Sequence, residues 1–239
     1  MKSVHGRSTI LIPKTLSQSI YRYLKQEIVT NRLKAGQRIN DKEIANLFEV
    51  SQTPVREAIF MLNAEGLVDI KSHKETIVSE LSFSELKEIF HVLDALEPLV
   101  IILALNRLTP EDVLALEEIH DQMERYCHLD FVEKYCEVQL SFHEYLWNIS
   151  SNGFLKEVLD SIRDHILRYN EARHHAFRKS GTLKSSLAKH KEILLALKAG
   201  NKRKLRALMA THWGPIFRRT SAYGKGIKEY LNLKEKAKE

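Results

Sequence analysis

Leu16, Ile20, Leu24 and Ile28 recur at every fourth position after Pro13, the spacing of one apolar helix face. The stretch Leu33 to Gln37, with Gly36, interrupts that pattern. Asn40 then offers an N-cap side chain, and Glu43 stands where it would complete a capping box. Ile44, Leu47 and Phe48 give this short helix its apolar side. Ser51 is expected to cap a second helix with inward positions Val55, Ala58, Ile59 and Leu62, closed by Gly66. Two short helices separated by Glu49-Val50-Ser51 suit either a helix-turn-helix or an ordinary helical hairpin. Leu67 to Ile70 and Thr76 to Val78 are short β-prone stretches. The polar turn Lys71 to Glu75 joins them, so they predict a hairpin wing.

Beyond Glu80 to Ser82 the period becomes purely helical. Ser82 and Glu85 form a second capping-box pair, followed by Leu86, Ile89, Phe90, Leu93, Leu96, Val100 and Leu103. Thr109-Pro110 starts the next helix with proline at its first position. Further helices are expected at about 130–150, 153–177, 184–199 and 201–213. Asn152-Gly153, Ser180-Gly181 and Gly200-Asn201 separate them, and Gly214-Pro215 ends the last. The lysine-rich tail from Lys225 reads as a solvated or frayed end. The predicted fold is mostly α, with a winged head over residues 1–81 and an antiparallel helical domain over 82–239.

Composition narrows this picture. With 9 Gly and 5 Pro, long helices are favoured over a turn-rich β fold, and 44% hydrophobic residues suffice for a core. No apolar run reaches the roughly 20 residues of a membrane span. Met1 to Ser8 is too polar for a signal peptide. Cys127 and Cys136 form no CxxC pair, so a reducing cytoplasm is the expected compartment. The net charge is +6, and Lys and Arg crowd residues 1–42, opposed there only by Glu27 and Asp41. A basic block on a folded head suits contact with phosphate, although a solubilising face has the same composition.

A recognition helix presents polar side chains at its N-terminal end to base edges while its other face holds the head together. Ser51, Gln52, Thr53 and Arg56 are polar, whereas Val55, Ala58 and Ile59 face inward. Gln can pair bidentately with adenine, and Arg with guanine or a phosphate. Asn31 to Ile39, Glu43-Ile44-Ala45, Val50 to Ala58 and Glu65 to Val68 together resemble the head of the GntR family, in the family's order and spacing. The resemblance implies a winged head binding a double-stranded DNA operator. Lys42, Gln52 and Arg56 fall at the family's DNA-contacting positions, and Lys74 falls in the wing turn. Gln52 stands where the family usually has Arg, which implies an altered base preference. Glu75 stands where the family usually has Gly at the wing tip, placing a negative charge near phosphate in a backbone position unsuited to it.

The second half resembles the FadR-type ligand-binding domain (FCD) of the same family in its six-helix, VanR-like form. Leu96-Glu97, Ser141-Phe142-His143 with Ser150-Ser151-Asn152, Lys189-His190-Lys191 with Ala196 to Asn201, and Met209 to His212 carry that resemblance. It implies a homodimer that senses a small-molecule effector, with His143, His190 and His212 at metal-ligand positions. Independently, each of these histidines lies on or beside an apolar stripe of a different predicted helix, as do His120 and His165. Three such imidazoles can hold a divalent transition metal such as zinc or nickel, or can be hydrogen-bonded core residues. Gln139 stands where the family's fourth ligand is Asp, and Leu93 where many members carry an Arg that clamps a carboxylate. Both are expected to line the effector pocket. Three neutral ligands leave a net positive site that would attract an anion. Arg163, Arg168 or Arg173 could stand in for that clamp, but each reads first as a solvated helix residue.

A metal-dependent enzyme is the competing reading of the histidines. His143-Glu144 begins like HExxH, but position 147 is Trp, and no P-loop, GxGxxG or GxSxG occurs. A ligand-responsive transcription regulator, acting as a repressor and not an enzyme, is the expected function.

Overall fold

The structure is a computed structural model that describes residues 15–71, 75–210, 212–213 and 221–236. The chain divides into two compact units, residues 1–80 and 81–239.

The first unit runs α1 (Leu16–Val29), β1 (Arg38–Ile39), α2 (Asp41–Leu47), α3 (Gln52–Ala64), β2 (Val68–Lys71) and β3 (Glu75–Val78). Ile20, Leu24 and Ile28 of α1 meet Val55, Ala58 and Leu62 of α3 in one closed core. Leu24 is fully buried, and cutting it to Ala would cost about 2–5 kcal/mol. Gly66, at φ 71°, closes α3 in the left-handed region and turns the chain into the sheet. The sheet order is β1-β3-β2, all antiparallel, with Asp69 opposite Ile77 and Arg38 also opposite Ile77 on the other side. The sequence pattern contains no sign of β1, because two residues are too few for a period.

Local details differ from expectation at three caps. The Asn40 side chain accepts from the Lys42 N–H, but Glu43 takes the Asn40 side-chain amide at 2.8 Å, not its backbone N–H. Ser51 occupies the N-cap of α3 with extended backbone and makes no side-chain cap hydrogen bond. Ser82 accepts from the Glu85 N–H at 3.0 Å, yet the Glu85 carboxylate is drawn away to the Tyr169 hydroxyl.

The second unit is helical throughout its described residues: α4 (Phe83–Leu105), α5 (Pro110–His128), α6 (Val132–Ile149), α7 (Gly153–Arg168), α8 (Asn170–Ser180), α9 (Leu183–Lys198), α10 (Lys202–Met209) and α11 (Ala222–Lys236). α5 packs on α6 and α9, while α6 and α10 pack on α4, so the core runs along α4 and α6. The single helix expected at 153–177 is broken at Tyr169. The buried Tyr169 hydroxyl donates to the Glu85 carboxylate, accepts from the Ser82 N–H at 3.1 Å and lies 3.0 Å from the Ser82 carbonyl. That tie to the start of α4 explains why the tyrosine sits between helices. Counting α7 and α8 as one bent helix, α4 to α10 make the expected six.

The tail is not a frayed end. α11 lies on α8 with Tyr223, Ile227 and Leu231 buried. A Cβ on Gly226 would come within 2.8 Å of the Ala176 Cα, so only glycine permits this approach.

Candidate functional site

In the head, α2 and α3 meet through the turn at Phe48 to Ser51, where Glu49 adopts φ 55°. Lys42, Ser51, Thr53 and Arg56 are exposed and Gln52 is half-buried, while Val55, Ala58 and Ile59 point into the core. Arg56 Nη2 donates to Gln52 Oε1 at 3.2 Å, one turn back along α3. Its Nε donates to Asp41 Oδ2 on α2, also at 3.2 Å. Sequence reasoning missed Asp41, because the pairing joins residues on two helices. Glu75 has no left-handed strain: it begins β3 in register with Lys71 and lies 3.9 Å from Arg38. The acid thus answers a strand arginine, correcting its reading as a misfit at the wing tip. Lys74 lies outside the described residues.

In the helical unit, α6 supplies His143, α9 supplies His190, and the segment just past α10 supplies His212. The helix expected to run to 213 ends at Met209, and the turn carries His212 inward. All three are buried, and each offers a ring nitrogen within 4.8 Å of the others'. The His143 and His190 Nε2 atoms are 3.2 Å apart.

The surrounding groups fix the tautomer of His190. His190 Nδ1 lies 2.8 Å from the Ser186 carbonyl, an acceptor only, so Nδ1 carries the proton. His143 Nδ1 lies 2.9 Å from Glu97 Oε1. The oxygen stands to one side of the N–H axis, so the contact is electrostatic and not a well-aligned hydrogen bond. It still favours a proton on Nδ1. If both Nε2 atoms are unprotonated, their lone pairs face and repel each other at 3.2 Å, whereas a proton on His143 Nε2 would make this contact a hydrogen bond. A shared cation removes that repulsion. Two metal–nitrogen bonds of about 2.0–2.1 Å at a tetrahedral angle put the nitrogens roughly 3.3 Å apart, close to the spacing present. The donor set therefore fits a divalent transition metal.

Electrostatics agree. Burial, then the neighbouring imidazole of His143, pushes His190 down to about 3. His212 is lowered well below the usual histidine range by burial and then by His190 and His143. Both imidazoles are neutral near pH 7, the form a metal needs.

Glu97 was not singled out as a functional side chain by sequence reasoning, although an acid on the Leu93–Val100 face of an apolar helix was the available signal. It is fully buried and accepts from Trp147 Nε1 at 3.3 Å and Trp213 Nε1 at 2.8 Å. Trp147, which breaks the HExxH pattern, thus has its own place as a donor to Glu97. Glu144 turns instead to Arg163 at 3.5 Å.

Beside the histidines lies a cavity of about 130 Å³ lined by His212, Trp213, Gln139, Arg173, Phe177 and Tyr223, among others. Gln139 lines it as expected. From α4 the wall takes Phe90, while Leu93 packs in the core. Arg163, also read as solvated, is partly buried and ion-paired to Glu144 and Asp164. Arg168 and Arg173, read as solvated, are each only 2% exposed. Helical periodicity could not reveal this, because the packing of α7 and α8 is decided by the break at Tyr169.

Comparison with known proteins bears on both units. Residues 16–78 match the family described as bacterial regulatory proteins, gntR family, and residues 88–214 match the FCD domain. The chain belongs to the GntR family. This GntR/FCD chain is 26% identical to the uncharacterised HTH-type regulator YdhC of Bacillus subtilis over 194 residues, covering 81% of the chain and 85% of YdhC. It is 25% identical to the HTH-type transcriptional repressor RspR of Escherichia coli over 182 residues, covering 76% of the chain and 78% of RspR. The solved structure of E. coli McbR/YncC superposes with TM-score 0.64 at 22% identity, over 94% of this chain and 99% of that one. These relatives are transcription regulators, not enzymes, and the chain is an HTH-type, DNA-binding GntR/FCD regulator. Among the described residues no helix is long and apolar enough to cross a membrane.

Proposed function

We propose that this GntR/FCD regulator is a cytoplasmic, homodimeric repressor whose helical domain senses a small anionic metabolite beside a metal held by His143, His190 and His212. The observation that carries the metal reading is the convergence of three buried imidazoles, with ring nitrogens within 4.8 Å of one another and the His143 and His190 Nε2 atoms 3.2 Å apart. A bound ion would supply a fixed positive charge beside the cavity. The Ser186 carbonyl holds His190 in the required tautomer, Glu97 Oε1 lies 2.9 Å from His143 Nδ1, and Trp213 packs against His143 and His212. Gln139 is not a ligand in this reading, since its amide is engaged by Arg173 and Ser186.

A dimer reads two half-sites in successive major grooves through two copies of α3, with Gln52 and Arg56 at the bases and Lys42 and Lys74 at phosphates. Val92 and Leu99, seven residues apart on α4, are 45% and 48% exposed and support a helix-mediated dimer. Effector binding changes operator affinity only by its differential affinity for the two states of the dimer.

Elemental analysis of the purified full chain tests the metal reading. It should find close to one metal per chain, and His190→Ala should abolish it. A metal-free chain that cannot be loaded with zinc or nickel sinks this reading. Selection of duplex DNA from a random pool tests the operator reading separately.

A further inference from the structure

Arg173 is a cation taken almost wholly out of water, with a side chain that lines the cavity. Burying a guanidinium costs several kcal/mol unless an anion or a full set of acceptors answers it. Its partners are neutral. Nη1 donates to Asn170 Oδ1 at 2.9 Å and Nη2 donates to Gln139 Oε1 at 3.2 Å, while Tyr223 lines the same cavity. Among the described residues no carboxylate pairs with it, and residues 214–220 contain no Asp or Glu. Lys189 adds a second positive charge to the cavity wall, and among the described residues no acid lines that wall. The remaining surface is aromatic, from Phe90, Phe177 and Trp213, with hydroxyls from Thr182, Ser185 and Ser186. This is a setting for a small organic anion: charge at one end, an apolar or hydroxylated body at the other.

Position sharpens the point. Gln139 and His143 are four residues apart on α6, about 6 Å along the axis. Arg173 bonds to Gln139, so its guanidinium stands about one helical turn from the histidines. Tyr223 comes from α11, beyond the residues that match the FCD domain. We propose that Arg173, with the Tyr223 hydroxyl beside it, anchors a carboxylate of the effector, so that the cavity takes a short organic acid whose carboxylate binds off the histidines. The volume of about 130 Å³ suits an acid of a few carbon atoms. This inference rests on the cavity being the effector site, as proposed above, but not on the metal.

The test is calorimetric titration of the full chain, zinc-loaded and chelator-treated, with acetate, malonate, neutral malonamide and inorganic phosphate. Acetate and malonate should bind both forms, and malonamide neither. Arg173→Met should weaken malonate by at least about tenfold in the chelated form, with Arg173→Lys falling between, since a charge-assisted pair is lost. Gln139→Glu places a carboxylate against Arg173 with little change of shape. It should fold, and it should lose malonate binding to a similar degree even without metal. That variant decides the matter if Arg173→Met does not fold. Unchanged malonate binding in either folded variant overturns the inference, as does the absence of carboxylate binding to the wild type. Preference for phosphate or malonamide overturns the ligand class. If malonate binding vanishes on chelation while Arg173→Met leaves the loaded form unaffected, the anchor is the metal and this inference falls alone. If malonate binding needs Arg173 and no metal is ever retained, the metal reading falls alone.

Discussion

Asp41 meets Arg56 at the surface of the head, with the arginine side chain 48% exposed, whereas Glu97 meets His143 in the helical domain where both side chains are 0% exposed. Both are contacts between an acid on one helix and a nitrogen on another. In water the first is nearly neutral in free energy, since screening and side-chain entropy offset the attraction. In the core the second cannot be lost without leaving polar groups unanswered. The head therefore keeps its polar groups available to a partner, while the helical domain commits its acid to holding two indoles and an imidazole in place. DNA reading needs side chains that can exchange water for a base edge, whereas a buried site needs donors locked before the ligand arrives.

The sharpest way to break this contrast is to remove each acid. Glu97→Ala should destabilise the helical domain by about 3–5 kcal/mol, measured by urea unfolding, because it strands two indole N–H groups and the His143 ring. Glu97→Gln should cost clearly less, since an amide oxygen can still accept. Equal losses for both variants would mean that packing, not polar satisfaction, sets the cost.

Next in size is Arg56→Ala. It should weaken operator binding by about 1–3 kcal/mol with no change in unfolding midpoint, by titration of fluorescent duplex. Gln52→Arg should shift base preference at one operator position in the same assay. A loss of stability instead would place Arg56 in the architecture of the head.

A pH series on the chelated protein probes the buried side. His190, normally near 6.5, is held down to about 3 in the fold, and His212 is lowered too. Between those values the unfolded chain binds more protons, so stability is fully present above about pH 6.5 and is lost as pH falls toward 3. Thermal unfolding at pH 7, 6 and 5 should show a falling midpoint, with the zinc-loaded form higher at pH 7. A flat profile would contradict neutral burial.

The smallest expected effect is Asp41→Ala, which should change stability by no more than about 1 kcal/mol. It should also tighten operator binding slightly, because Arg56 no longer has to leave a carboxylate.

Much of the head was legible because its elements announce themselves locally. The α1 period, the polar start of α3 and Gly66 at φ 71° are written within one or two turns of chain. In the helical domain the same logic placed the three histidines inward, since residue spacing decides which face of a helix is apolar. It failed where distant residues compete. Tyr169 splits a continuous helical pattern because its hydroxyl finds Ser82, 87 residues away. The lysine-rich α11 looks solvated until Gly226 is seen against Ala176.

The sequence by itself determined which helix faces are apolar, where helices begin and end at strong caps, and which family's blocks the chain carries, because these depend on neighbours a few residues apart. Only the tertiary structure decided that His143 and His190 face each other at 3.2 Å, that Glu97 serves both indoles, and that Arg173 is buried rather than solvated. Those outcomes depend on how α4, α6, α8 and α9 stack, and no residue pattern within a single helix encodes the neighbour it will meet.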